Sequence, residues 1–324
     1  MPSKKSRPAR PPARPARPNT GNRLYGPAPH VGLAWLAGAA ATAVAIGAAA
    51  AYLLLCVIFY QNQAMMIFRP SPKITTTPAT VGLAYQAVLF GLAKNGQPQL
   101  TGWWIPATPL SSVKDSAAKN TPSPKATILY LHGASGSLSN SVPQLQALHT
   151  LGVNIFAIDY QGFGNSAGTR PTEQLADRDA LAAWRYLTVQ RSLPPTTLVV
   201  FGQGAGATFA TYLAAHRTVA ALVLTEISPT AHTIFEQDQR ARLLPLFLLA
   251  KEHMNPAPEL KRLKTPKLLL DWPAKKPGTT QKTTESDFLQ AHGPKQIVSL
   301  PNAAPAGLAN AVRPFLSRIL PAAQ

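Results

Sequence analysis

Leu198-Val199-Val200-Phe201-Gly202-Gln203-Gly204-Ala205-Gly206-Ala207 reads as a strand, a tight turn and the start of a helix. The first four residues form a short apolar run of the kind a buried strand needs. Gly202, Gly204 and Gly206 then punctuate it, and helical spacing resumes over Ala205–His216. One glycine-rich turn says little alone, so its weight depends on what surrounds it.

Outward from this segment the same alternation repeats. Strands are expected at Tyr85–Phe90, Leu100–Ile105, Ala126–Leu131, Asn154–Ile158, Ala220–Leu224, Lys267–Leu270 and Gln296–Leu300. Helical patterns fall between them at Ser141–Leu151, Thr172–Thr188 and, last, Gly307–Ile319. Short apolar strands alternating with helices predict a mostly parallel sheet covered on both faces, an α/β fold. Thr108–Lys125 reads as a polar surface loop, and no internal repeat is visible.

The N-terminal region differs in kind. Residues 1–30 are rich in Pro, Arg and Ala and carry seven basic residues and no acid, within a chain of net charge +18. Such a composition cannot pack a core and reads as a disordered basic tail. Val31–Phe68 then holds no Asp, Glu, Lys or Arg, which is long enough for a membrane-spanning helix of about 20 residues. The rival is a cleaved signal peptide, whose apolar region is shorter, roughly 7–15 residues, and is followed by small residues. Here Ala39–Ala51 precedes the bulkier Leu53-Leu54-Leu55 instead of following it. The expected organisation is therefore a tail (1–30), an anchor helix (31–66) and a domain (67–324) with a short cap-like insert at about 228–262. The basic tail predicts a cytoplasmic N-terminus and an extracytoplasmic domain, on the inner membrane if the source is Gram-negative.

Cys56 is the single cysteine and lies in the apolar run, so neither an intramolecular disulfide nor a cysteine-based metal site is expected. His149, His216, His232 and His253 are scattered without ligand spacing, so no metal or cofactor is expected. The positive charge raises nucleic acid as a partner, but no recognition motif supports it. The expected partners are the bilayer through residues 31–66, anionic lipid headgroups at the tail, and an unidentified small apolar ligand or protein.

The central segment resembles the nucleophile elbow of α/β-hydrolases, Gly-x-Ser-x-Gly, with Gly202 and Gly206 as the flanking glycines. The resemblance extends over Met65–Leu320 and is closest to the membrane-anchored, serine-aminopeptidase-like and monoacylglycerol-lipase-like branch. It is carried by Gly102-Trp103-Trp104-Ile105-Pro106, by Leu131-His132-Gly133-Ala134-Ser135-Gly136, by Asp159-Tyr160-Gln161-Gly162-Phe163-Gly164-Asn165-Ser166, and by the helix containing Ala176-Asp177-Arg178-Asp179-Ala180. It implies an α/β-hydrolase fold with an oxyanion hole made by the backbone N–H groups of Ala134 and Ala205. It also implies structural roles for His132 and Asp159.

The departures fall on the chemistry. Gly204 stands at the nucleophile position, the acid position falls near Lys275 with Asp271 as the nearest carboxylate, and the base position falls near Pro305. No histidine follows His292. Glycine has no atom with which to attack a carbonyl, and without a base no hydroxyl is activated. A catalytically inactive, membrane-tethered binding or scaffolding module is expected. The alternative is a serine-type ester or amide hydrolase with a displaced site, using Ser135 or Asp159; Ser137 and Ser139 lie in the same loop.

Overall fold

The computed structural model describes residues 32–92, 96–107, 126–168, 170–271, 286, 288–301 and 305–320. The segment near Lys275 and the whole of the expected loop 108–125 lie outside them.

All eight expected strands form, and they make one sheet. In chain order they are Gln86–Leu92, Pro98–Ile105, Thr127–Leu131, Asn154–Asp159, Leu198–Gln203, Ala221–Thr225, Lys267–Asp271 and Lys295–Ser299, here β1 to β8. Across the sheet the order is β8-β7-β6-β5-β3-β4-β2-β1. β1 pairs antiparallel with β2, and β2 antiparallel with β4. Every other pairing is parallel. The parallel centre explains the unbroken apolar runs: every residue of Thr127–Leu131 and of Ala221–Thr225 is buried, because helices cover both faces.

On one face Leu145 and Leu148 of the helix Val142–His149 pack with Val312, Phe315 and Leu316 of the final helix, Ala306–Ile319. On the other face the helices Glu173–Arg185 and Gly206–His216 bury Ala180, Phe209 and Leu213 against the sheet. Thr172 caps the first of these, its side chain accepting from the Leu175 N–H. The insert between β6 and β7 holds three short helices, Ala231–Gln237, Leu246–Leu249 and Ala257–Arg262.

The apolar run forms one helix, Leu33–Ile67, long and apolar enough to cross a membrane; length and composition fit an anchor or a signal sequence. The chain divides into two compact units between Leu54 and Leu55. The globular unit thus begins inside the helix, earlier than the expected residue 67. The reason is burial: Phe59 sets its ring edge-on to Phe235 at 5.1 Å, and Gln63 and Ile67 are buried.

Candidate active site

The turn after β5 is an elbow built by close backbone approach. A Cβ on Gly206 would lie 2.0 Å from the Leu131 carbonyl oxygen, and one on Gly202 would lie 2.5 Å from the Gly206 oxygen. No side chain fits at either position. Gly204 between them has φ +60°, left-handed backbone that glycine adopts without strain. Its N–H donates to the Thr225 carbonyl at 3.0 Å, and its carbonyl accepts from Ala207 N–H at 3.1 Å. A Cβ here would meet the Gly133 Cα at 3.3 Å and the Ser228 hydroxyl at 3.6 Å, a tight fit but not a backbone collision. The geometry is that of a sharp strand–turn–helix elbow whose central residue carries no side chain.

A cavity of about 560 Å³ opens beside Gly204. Gly133, Ala134 and Ser135 form one wall, Met66 and Ile67 at the end of the N-terminal helix another, and Ile234 belongs to the insert. Ala134 is held in place because its carbonyl accepts from the Arg69 N–H at 2.7 Å, where Arg69-Pro70 pairs with Ser135-Gly136. Neither the Ala134 nor the Ala205 N–H donates to the backbone among the described residues. Ala134 lines the cavity, whereas Ala205 is fully buried and is not one of its lining residues.

His132 lines the cavity but is spent on the scaffold. It is 2% exposed, its Nδ1 lies 2.7 Å from the Gly133 carbonyl, and its Nε2 is 3.4 Å from an Asp159 carboxylate oxygen. That second approach is an electrostatic contact without hydrogen-bond alignment. Asp159 is buried, accepts from the Leu138 N–H at 2.9 Å, and does not reach the cavity. Asp159 therefore holds the loop, in keeping with the structural role that the resemblance implies and not with the alternative of a displaced catalytic group. Ser137 donates to the Lys73 carbonyl at 3.1 Å and Ser139 to the Thr76 carbonyl at 2.9 Å, both buried. Ser135 is exposed on the cavity wall. Pro305 caps the last helix and is not a lining residue. Asp271 ends β7, and its carbonyl accepts from Leu300 N–H.

A polar chain on the cavity floor escapes the sequence reading. The Tyr130 hydroxyl donates to the Gln203 Oε1, and the Gln203 Nε2 donates to Glu226 at 2.5 Å. Burial pushes the Tyr130 phenol well above its ordinary range, so it is a donor here and not a base. Glu226 has φ +51°, an uncommon conformation for a residue with a Cβ, and lines the cavity directly after β6. Two residues on, Ser228 lines it as well. A carboxylate placed immediately after an apolar strand, as Asp159 is after β4, is the sequence signal that could have found Glu226.

Comparison with known proteins agrees with this geometry. A model of the α/β hydrolase fold family matches residues 126–250. A Mycobacterium tuberculosis protein, Rv2307c, is 32% identical over 165 residues, 51% of this chain and 53% of its own length. YfhR of Escherichia coli K12 is 35% identical over 114 residues, 35% of this chain and 36% of its own. Protein bem46 of Schizosaccharomyces pombe is 31% identical over 122 residues, 36% and 40% of the two chains. The chain thus covers about half or less of the length of these relatives. Among solved structures, an α/β hydrolase from Vibrio vulnificus superposes with TM-score 0.56 at 18% identity, covering 76% of this chain and 86% of the other. A Pyrococcus furiosus esterase superposes with TM-score 0.55 at 17% identity, covering 79% and 99%. At such identities the superpositions establish the fold. By its strand order, by the backbone of its elbow and by the similarity over residues 126–250, the chain has the α/β-hydrolase fold.

Proposed function

We propose that this protein is a membrane-tethered α/β-hydrolase-like module that binds a ligand or partner in its cavity without hydrolysing it. The observation that carries the reading is Gly204, a glycine at the centre of an otherwise complete elbow with a cavity open beside it. Nothing at that position can form an acyl intermediate. The histidine at the cavity, His132, is packed between Tyr160 and Phe163 with ring centroids at 4.6 and 5.1 Å. Its Nδ1 is held by a carbonyl, which leaves it poorly placed to shuttle a proton. The helix Leu33–Ile67 anchors the module, with the domain outside the cytoplasm.

The test is labelling of the full chain by a fluorophosphonate, which reacts with activated serines, together with hydrolysis of p-nitrophenyl esters. The reading expects neither above a heat-inactivated control. A second reading, a hydrolase with a displaced serine, is favoured by one observation. The Ser228 hydroxyl lies 3.6 Å from where a Cβ of residue 204 would stand, close to the space a nucleophile would use. Labelling that vanishes in Ser228→Ala, and not in Ser135→Ala, would establish that second reading and overturn the first.

A further inference from the structure

The insert between β6 and β7 leaves large apolar side chains in solvent. Leu243 is 71% exposed, Phe247 84% and Leu248 71%. Among the described residues, half of the other large exposed apolar residues of the globular unit lie on the adjoining helix, where Val57 and Ile58 are each 49% exposed. Leu89, Leu92, Val189 and Leu289 account for the rest and lie on other elements. Three large apolar side chains exposed within six residues of one insert mark an interaction surface.

The insert is fastened to that helix at one level. Gln63, 2% exposed, donates from its Nε2 to the Leu249 carbonyl at 3.0 Å. Its Oε1 accepts from the Lys251 N–H at 2.6 Å and from the Glu252 N–H at 3.2 Å. The Lys251 ammonium lies 3.4 Å above the centre of the Tyr60 ring. Gln61-Asn62-Gln63 is also where the apolar run meets its first cluster of polar side chains. A helix crossing a bilayer leaves the hydrocarbon where its polar residues begin, and Tyr and Lys collect at that depth. The insert is therefore tied to the helix at the level of the membrane surface.

Its composition fits the same place. From Arg240 to Lys251 the insert carries Arg240, Arg242 and Lys251 and no acid, around the apolar Leu243 and Phe247-Leu248. Leu and Phe flanked by basic residues is the pattern of a segment lying in the headgroup region of an anionic membrane. We infer that Leu243, Phe247 and Leu248 dip into the membrane beside the anchor helix, with Arg240, Arg242 and Lys251 among lipid phosphates. The cavity, lined by Met66, Ile67 and Ile234 from these same two elements, then opens close to the lipid surface and receives ligands that partition there. This rests on the anchor reading of Leu33–Ile67.

The test uses the full chain with Cys56→Ser, in vesicles of phosphatidylethanolamine and phosphatidylglycerol, nitroxide-labelled at one introduced cysteine. Phe247→Cys and Leu243→Cys, both exposed, are the reporters; Val189→Cys is the water control and Val44→Cys the anchor control. Labels at 247 and 243 should be reached severalfold better by lipid-soluble oxygen than by a water-soluble nickel chelate, as at 44 and unlike 189. Arg240→Gln with Arg242→Gln should shift the 247 label toward water. If 44 reports lipid while 247 and 243 report water, the docking inference is wrong and the anchor stands. Water at 44 overturns the anchor and with it the inference. Shielding of 247 from both reagents means that protein covers the patch, a second copy being the first candidate, and this too overturns it.

Discussion

Two turns leave the carboxyl ends of β4 and β5, and different forces hold them. The turn Asp159–Ser166 is braced by carboxylates. Asp159 accepts from Leu138 N–H at 2.9 Å, the Ser166 hydroxyl donates to the Asp159 carbonyl at 2.7 Å, and Asp179 accepts from the Gln161 backbone and side-chain amides at 2.8 and 2.7 Å. In the elbow Gly202–Gly206 the side-chain ties run from Gln203 to Tyr130 and Glu226, and the glycines themselves rely on none. They are held by backbone packed on backbone, with Gly206 against the Leu131 and His132 carbonyls. A turn that depends on side chains loses its shape when they change. A turn that depends on glycines keeps its shape whatever stands at its centre, so an elbow can persist around Gly204 without a nucleophile.

The largest effect that would break this comparison is at Gly206. Gly206→Ala puts a Cβ 2.0 Å from a carbonyl oxygen in the middle of the sheet. It should cost about 3 kcal/mol or more, read as the shift in the denaturant midpoint of the detergent-solubilised chain. A loss below 1 kcal/mol, on the order of a surface change, would mean that the elbow is not packed this tightly.

The next effect separates the turns by pH. Burial raises Asp179 from 3.8 to about 6, although hydrogen bonds from Gln161 work the other way. Burial and the neighbouring Glu173, Glu259 and Glu252 raise Asp177, two residues earlier in the same helix, from 3.8 to about 8. Between pH 4 and pH 8 the folded chain therefore keeps protons that the unfolded chain has released. The stability these groups give is complete below about pH 4 and is lost as pH rises to about 8. In melting curves Asp179→Asn should flatten the fall between about pH 4 and 6, and Asp177→Asn the fall over the whole range from about 4 to 8. Gly206→Ala should lower the whole curve without changing its slope. If neither aspartate variant alters the slope, the carboxylate brace is not what holds the first turn.

Smaller again is Gly204→Ser. Its Cβ meets nothing closer than 3.3 Å, so the cost is that of φ +60° for a residue with a side chain, about 1 kcal/mol. A raised melting temperature would show that position 204 is not in the left-handed region. The smallest expected effect is on chemistry: Gly204→Ser should remain inactive on p-nitrophenyl esters, because a hydroxyl without a base stays a weak nucleophile. Rapid turnover would reveal a base among the cavity residues, with Glu226 the first to remove.

Much of the fold was legible because a buried parallel strand and its covering helices leave opposite periodicities in the chain. Leu198–Phe201 and Asn154–Ile158 are short unbroken apolar runs, whereas Thr172–Thr188 alternates polar and apolar positions, so their places could be read directly. The elbow was legible because its glycines are fixed by local geometry. The boundary at Leu55 was not, because the same apolar residues suit lipid and protein alike. Phe59 and Ile67 look no different in sequence from Val57 or Ile58, and only their neighbours in space distinguish them. Asp159 read as a possible catalyst because it follows a strand, until its hydrogen bond to Leu138 placed it beneath the loop.

By itself the sequence determined the α/β alternation, the charge-free N-terminal run and the glycine at the nucleophile position, since each is a property of residues adjacent in the chain. The tertiary structure alone decided what surrounds that glycine: the chain from Tyr130 through Gln203 to Glu226, Ser228 opposite the vacant position, and the insert fastened to the helix by Gln63. These are pairings between residues up to 189 positions apart. A pairing at that distance leaves no periodic trace in the chain, because it is fixed by how the sheet orders its strands and not by which residues are neighbours.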